Sequence, residues 1–322
     1  MTIMTILPAL ATFIVGYILI KYPASISMPT NRGMHKDAIA SSGGIALMAG
    51  LGIISFSQSL SHGLLASLLL IGILGFFDDK YSLTKYARFG FQIGVSGYLV
   101  YDQFGYDISF IYLFILVFIS TYTINIYNFM DGIDQLAISQ AIFFIIGWLF
   151  IYNTYTEDIM ISILFVLMAF SLINYPRTKL FLGNSGSYFL GFLIVIIMFQ
   201  TIFYKGFMGA IPLVILMTTF YTDTTYTLVI RFIRKFNEKS SSVIKSINYV
   251  TEAHCTHSYQ KLAIKKNSHS KVVFIIMSYS IVWCLPLSFL ATYYTEYSLI
   301  FLILSYLPYI YYCYNNKAGM ES

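Results

Sequence analysis

Charge is what this chain has least of. Asp, Glu, Lys and Arg make up 10% of its 322 residues, against about 25% in an ordinary soluble domain. The mean hydropathy is +0.74. That balance excludes a soluble globular chain and reads as an all-α polytopic membrane protein. Cysteine is scarce too. Cys255, Cys284 and Cys313 show neither paired nor metal-type spacing, which excludes a disulfide framework and argues against a zinc site. No soluble domain and no internal repeat are visible, so residues 1–322 are read as one integral membrane domain. The first apolar segment lacks a preceding basic residue and a small-x-small cleavage site, and Lys21 follows it. It reads as a retained anchor, not a signal peptide.

Long apolar runs are abundant. A spanning helix needs about 20 apolar residues, and candidates lie near 3–20, 43–60, 63–77, 88–103, 108–128, 133–152, 158–174, 187–204, 207–230, 272–293 and 297–314. Segment 88–103 carries Arg88, Gln92 and several glycines, so about 10–11 transmembrane helices are expected. With Met1 outside, only Lys205 of the 19 Lys and Arg residues falls on the outer side. The positive-inside rule then places the stretches 21–42, 78–88, 128–134, 175–186, 231–271 and 315–322 in the cytoplasm. The net charge of +5 is a topology signal and gives no sign of nucleic acid, because no soluble face gathers the basic residues.

The most informative stretch is Asn125-Ile-Tyr-Asn-Phe-Met-Asp-Gly-Ile-Asp134. Polar side chains at a membrane segment persist where they face a cavity, a partner or water. Helical spacing puts Asn125, Asn128 and Asp131 or Gly132 on one stripe, with Asp134 a turn beyond. Such a stripe offers oxygens to a hard cation and hydrogen bonds to a polar ligand. For the two amides alone, helix–helix glue stays open.

Other loops add to it. Arg32, His35 and Lys36, followed by Gly43-Gly44, could attract an anionic head group or a phosphate. Asp78 and Asp79 end an apolar run and precede Lys80, Lys85 and Arg88. Adjacent carboxylates repel unless a cation, a proton or a base is shared between them. Neighbouring helical positions point about 100° apart, so the two do different jobs. Phe181-Leu-Gly-Asn-Ser-Gly-Ser187 leaves backbone N–H groups near a helix start, a recurring phosphate cradle. His254 and His257, with Lys261 a turn on, share a helical face that suits phosphate.

Together these motifs resemble the polyprenyl-phosphate N-acetylhexosamine-1-phosphate transferases, or glycosyltransferase family 4. The matching positions, spread over almost the whole chain, are Pro29, Asn31, Arg32, His35 and Gly43-Gly44; Asp78-Asp79, Leu83, Arg88 and Gln92; Asn125 and Asn128 to Asp134; Phe181-Leu-Gly and Gly186-Ser187; Asp223; and His254 with His257. The resemblance implies transfer of a sugar-1-phosphate from a UDP-N-acetylhexosamine to undecaprenyl phosphate, releasing UMP, on the cytoplasmic face of a bacterial inner membrane. His-x-x-His-x-Tyr-Gln-x-Leu resembles the O-antigen branch. As implied by the family, Asn128 and Asn184 hold Mg²⁺, with Mn²⁺ as the alternative ion. Arg88, His254 and His257 clamp phosphates or sugar, and Gly132, Asp134 and Phe181 bind uridine. Asp78 activates the lipid phosphate, Asp79 organises the metal region and Asp131 supports both. Expected partners are the two substrates, the bilayer and a second copy in a homodimer. Asn184 stands where the family usually has Asp, and Gln135 where it has Gly. A lipid-linked-sugar transporter or flippase is the competing class, although its polar clusters belong near the midplane. An inactive family member is the other alternative.

Overall fold

The computed structural model describes residues 3–28, 38–58, 61–105, 108–152, 157–175, 177–238, 242–252 and 254–321. All eleven apolar runs fall on helices: α1 Ile3–Lys21, α2 Gly44–Gln58, α3 His62–Tyr81, α4 Lys85–Phe104, α5 Phe110–Met130, α6 Leu136–Ile151, α7 Glu157–Ile173, α8 Gly183–Leu216, α9 Thr218–Phe236, α10 Val243–Val250, α11 Ser258–Lys266, α12 His269–Tyr279, α13 Leu285–Tyr293 and α14 Ser298–Asn315. A wider π turn, Ser280–Cys284, joins α12 to α13. The fold is an all-α polytopic membrane architecture. Six of the described helices are long and apolar enough to cross a membrane, with α12 through α13 counted as one, and α2, α6 and α7 are shorter apolar helices.

Local chemistry sets the boundaries. Hydroxyls at Ser61, Thr84 and Ser109 accept the N–H groups of Leu64, Ala87 and Tyr112 at the starts of α3, α4 and α5, satisfying donors that the helices leave orphaned. The run 207–230 is not one helix. Gly206, at φ 71, turns the chain inside α8, and Met217, at φ −92 and ψ 6, separates α8 from α9. The first loop also forms a two-stranded ribbon, β1 Ser25–Ser27 against β2 Ile39–Ser41, with Ser25 opposite Ser41. At three residues each, these strands are too short to leave a period in the sequence.

Helix α8 is the centre of the bundle. Of its most apolar window, 89% is buried inside the protein, and it packs against α2, α3, α4, α5, α6, α13 and α14. Long-range bonds gather the loops at one end of the bundle: Phe181 N–H to Ala40 O at 2.8 Å, Lys85 Nζ to Asn248 Oδ1 at 2.6 Å and Lys261 Nζ to Lys317 O at 2.8 Å.

The start of α8 is reached by two glycines. A Cβ on Gly75 of α3 would lie 2.3 Å from Asn184 O, and one on Gly44 2.3 Å from Ser185 C. Both neighbours are backbone and cannot swing aside. Gly75→Val should therefore cost about 1–3 kcal/mol by overpacking and lower the thermal midpoint in detergent. An unchanged midpoint would show that α3 and α8 are not in this close contact.

Candidate active site

A cavity of about 430 Å³ opens where α3, α5 and α8 meet, walled by Asp79, Asn128, Asp131, Gly132, Asp134, Phe181 and Asn184. Seven of the residues expected from the sequence thus share one space.

The Asp pair divides as its 100° offset requires. Asp79 faces the cavity and accepts the N–H groups of Asn184 and Ser185 at 2.8 and 3.2 Å. Asp78 turns inward and is 4% exposed. Its Oδ1 accepts Leu83 N–H at 3.0 Å. Its Oδ2 accepts Arg88 Nη1 at 3.1 Å, Asn184 Nδ2 at 3.0 Å and Tyr188 Oη at 2.9 Å. Asp78, expected as the base, is therefore off the cavity wall with both oxygens engaged, and its geometry is that of a positioning residue.

The two expected metal amides touch each other. Asn128 Nδ2 donates to Asn184 Oδ1 at 2.7 Å and to Ser187 Oγ at 3.0 Å. Among the described residues no three His, Cys, Asp or Glu side chains form a metal cluster. Asp131 caps α5 and accepts no side-chain hydrogen bond among the described residues. Desolvation, with the Asp79 and Asp134 carboxylates nearby, pushes its carboxyl well above the usual range.

On the other side of the same turn lies an apolar groove of about 390 Å³, lined by Phe89, Ile93, Phe118, Asn125, Phe129 and Val250 among others. Asn125 Nδ2 donates to Gln92 Oε1 and Thr121 O, both at 2.7 Å. Arg88, a third exposed, stands beside Phe89 with one Nη spent on Asp78.

Neither His254 nor His257 lines the cavity. His257 is buried against Asp223, its Nδ1 at 3.3 Å, and Asp223 also accepts Ser258 N–H and Tyr259 N–H at 3.0 and 3.1 Å. That carboxylate caps α11, whose Tyr259 Oη donates to Phe129 O at 2.7 Å and so braces the 128–134 turn from outside. His254 lines a separate cavity with Arg231 and Lys261. Arg32 and His35 lie outside the described residues. The sequence reading missed His269, whose Nδ1 sits 3.1 Å from Asp134 Oδ2. A lone His at a helix start gives no motif. Gln135 holds φ 67, which explains why Gly suits the position, and its amide is tied to Ser171 at 3.0 and 3.2 Å.

The raised Asp131 value gives a signed test. An acid whose folded pKa exceeds its unfolded one supports the fold while protonated, and that support is lost as pH rises through the folded value. Asp131→Asn cannot ionise. Its thermal midpoint should gain on the wild type as pH rises from about 4, read as unfolding temperature against pH in detergent. Parallel curves would show that Asp131 bears no ionisation penalty.

Known proteins carry the same pattern. Residues 61–202 match the family model for glycosyl transferase family 4, a window that contains the whole Asp pair, the 125–134 turn and Asn184. A probable undecaprenyl-phosphate N-acetylglucosaminyl 1-phosphate transferase of Bacillus subtilis is 27% identical over 249 residues, 70% of this chain and 68% of the relative. A putative UDP-N-acetylglucosamine–dolichyl-phosphate N-acetylglucosaminephosphotransferase of Saccharolobus solfataricus is 29% identical over 59% of this chain and 69% of its own. A phospho-N-acetylmuramoyl-pentapeptide-transferase of Streptococcus equi is 30% identical over 43% of this chain and 50% of its own. With the acid-walled cavity built from that same window, the chain is similar over residues 61–202 to glycosyl transferase family 4, and its relatives bear the names of polyprenyl-phosphate N-acetylhexosamine-1-phosphate transferases.

Proposed function

We propose that this chain transfers an N-acetylhexosamine-1-phosphate from a UDP-sugar to undecaprenyl phosphate and releases UMP, as the first step of an O-antigen-like cell-envelope polysaccharide. On this reading it is a membrane phosphosugar transferase. The last turn of α5 is the observation that carries the reading. Asn125 and Phe129 line the apolar groove, while Asn128 and Asp131 line the polar cavity. A soluble nucleotide and a phosphate on a long hydrocarbon need two such compartments side by side. Lys80, Lys85, Arg88, Lys235 and Lys271 stand in helices whose ends form the cavity end of the bundle, which supports a cytoplasmic face at a bacterial inner membrane.

In the reaction a lipid phosphate oxygen bonds to the phosphorus that carries the sugar. The bond from that phosphorus to the bridging oxygen breaks, and UMP leaves with the electron pair. Arg88, at the groove's edge, holds the lipid phosphate, and Asp78 with Tyr188 fixes the guanidinium. Gly132, Asp134 and Phe181 take the uridine side, with His269 orienting Asp134. The donors around Asp131 are all oxygens, and its carboxylate is unpartnered, which fits Mg²⁺ or Mn²⁺ held by one or two protein groups plus substrate phosphates. Asn128 and Asn184, the expected ligands, with the unpartnered Asp131 beside them would supply the one or two protein oxygens, and the ion when bound supplies positive charge to the diphosphate.

Radiolabelled UDP-sugar with undecaprenyl phosphate in detergent should yield labelled lipid and equimolar UMP. Absence of both products would leave an inactive family member. The neutral Asn184 sharpens the test. An Asp there would set a second carboxylate beside Asp78, replacing the 3.0 Å donation from Nδ2. Asn184→Asp should lower thermal stability without Mg²⁺, recover it with Mg²⁺, and reach half-maximal rate at less Mg²⁺. Mg²⁺ curves identical to those of the wild type would place the ion away from residue 184.

A further inference from the structure

Helix α10 carries its polarity the wrong way round for a helix in water. It packs on α9 through the buried Ser246 and through Tyr249, whose ring lies 4.2 Å from the Arg231 guanidinium and whose carbonyl accepts Arg231 Nη2 at 2.9 Å. Asn248 is held by Lys85. Val243, Ile244 and Ile247 project on the opposite side and are 52%, 72% and 50% exposed. Positions 243, 244, 247 and 250 fall on one helical face, so the apolar stripe is continuous, and Val243, Ile244 and Ile247 are at least half exposed along it. An eight-residue helix is marginal in water unless such a stripe is covered.

We propose that α10 is a membrane-surface helix, with Val243, Ile244 and Ile247 inserted at the boundary between lipid head groups and acyl chains. Two observations name the bilayer as the occupant. The stripe continues an apolar belt: Val229, Ile233 and Phe236 on the adjoining α9 are each 47–48% exposed. Beyond it, Val250 and Thr251 form the rim of the groove that opens between α4 and α5. Basic side chains also flank the stripe, with Arg234 and Lys245 exposed beside it, while the acidic Glu252 and Glu321 lie past the helix's C-terminal end. Lys235 is already paired with Glu238 at 2.6 Å. A helix with an apolar face and basic flanks binds the interface of an anionic bilayer. Because Asn248 ties it to α4, α10 also sets the width of the groove's mouth at the membrane surface.

The inference rests on the membrane architecture and is tested without the transfer reaction. In a Cys255→Ser background, where Cys284 and Cys313 are buried, Ile244→Cys, Ile247→Cys and Lys245→Cys would each carry an environment-sensitive fluorophore. The proteins are reconstituted into phosphatidylcholine–phosphatidylglycerol vesicles with or without acyl-brominated phosphatidylcholine. Labels at 244 and 247 should emit to the blue and be quenched several-fold more than the label at 245. Two reporters on one face guard against a single misfolded variant. Equal quenching at all three positions, or none at 244 and 247, would overturn the proposal.

Discussion

One carboxylate fixes the geometry of this protein: Asp79 of α3 accepts the first free N–H groups of α8 at 2.8 and 3.2 Å. Those groups have no partner within the helix, and a negative charge there also meets the positive end of the helix dipole. Since α8 is the helix around which the bundle packs, its start has to be held. With that point set, the helical pitch delivers the rest. Asn184 reaches Asp78, Ser187 reaches Asn128, and Tyr188 reaches Asp78 and Arg88.

This arrangement leaves one group uncompensated. Asp78 is surrounded by donors and Asp134 has His269, yet Asp131 faces the cavity between two like charges. A fold selected only for stability would pair or replace it. Local conflicts of this kind are expected where a site must receive something from outside, which under the proposed function is a cation with a diphosphate. The groove on the far side of α5 is almost wholly apolar, so the same helical turn separates a polar compartment from an apolar one.

Much of this was legible in the sequence, because it depends on periodicity and short spacing. The apolar runs lie on helices, with 207–230 divided at Met217, and the offset within Asp78-Asp79 follows from 3.6 residues per turn. The stripe expected through 125–134 does not form: α5 ends at Met130, and Asn125 faces the groove while Asn128 and Asp131 face the cavity. What failed depends on contacts far apart in the chain. The helical face expected for His254 and His257 does not form, because α11 begins only at Ser258 and His257 is its extended cap residue, buried against Asp223. His257 and Tyr259 therefore brace the site from behind while His254 faces a separate cavity, and no local pattern reveals that. His269 reaches Asp134 across 135 residues. The ribbon of Ser25–Ser27 and Ile39–Ser41 is set by its docking beside Leu180, not by its own propensity.

The central claim is that the last turn of α5 separates a nucleotide cavity from a lipid groove. Photocrosslinking with a polyprenyl phosphate carrying a diazirine in its first isoprene units, followed by peptide mapping, tests it most directly. The account predicts adducts on Phe89, Ile93, Phe118 or Phe129, unaffected by UDP-sugar and lost when unlabelled undecaprenyl phosphate is added. Adducts confined to Phe181, Ile133 or Ile138, on the cavity side, would contradict it.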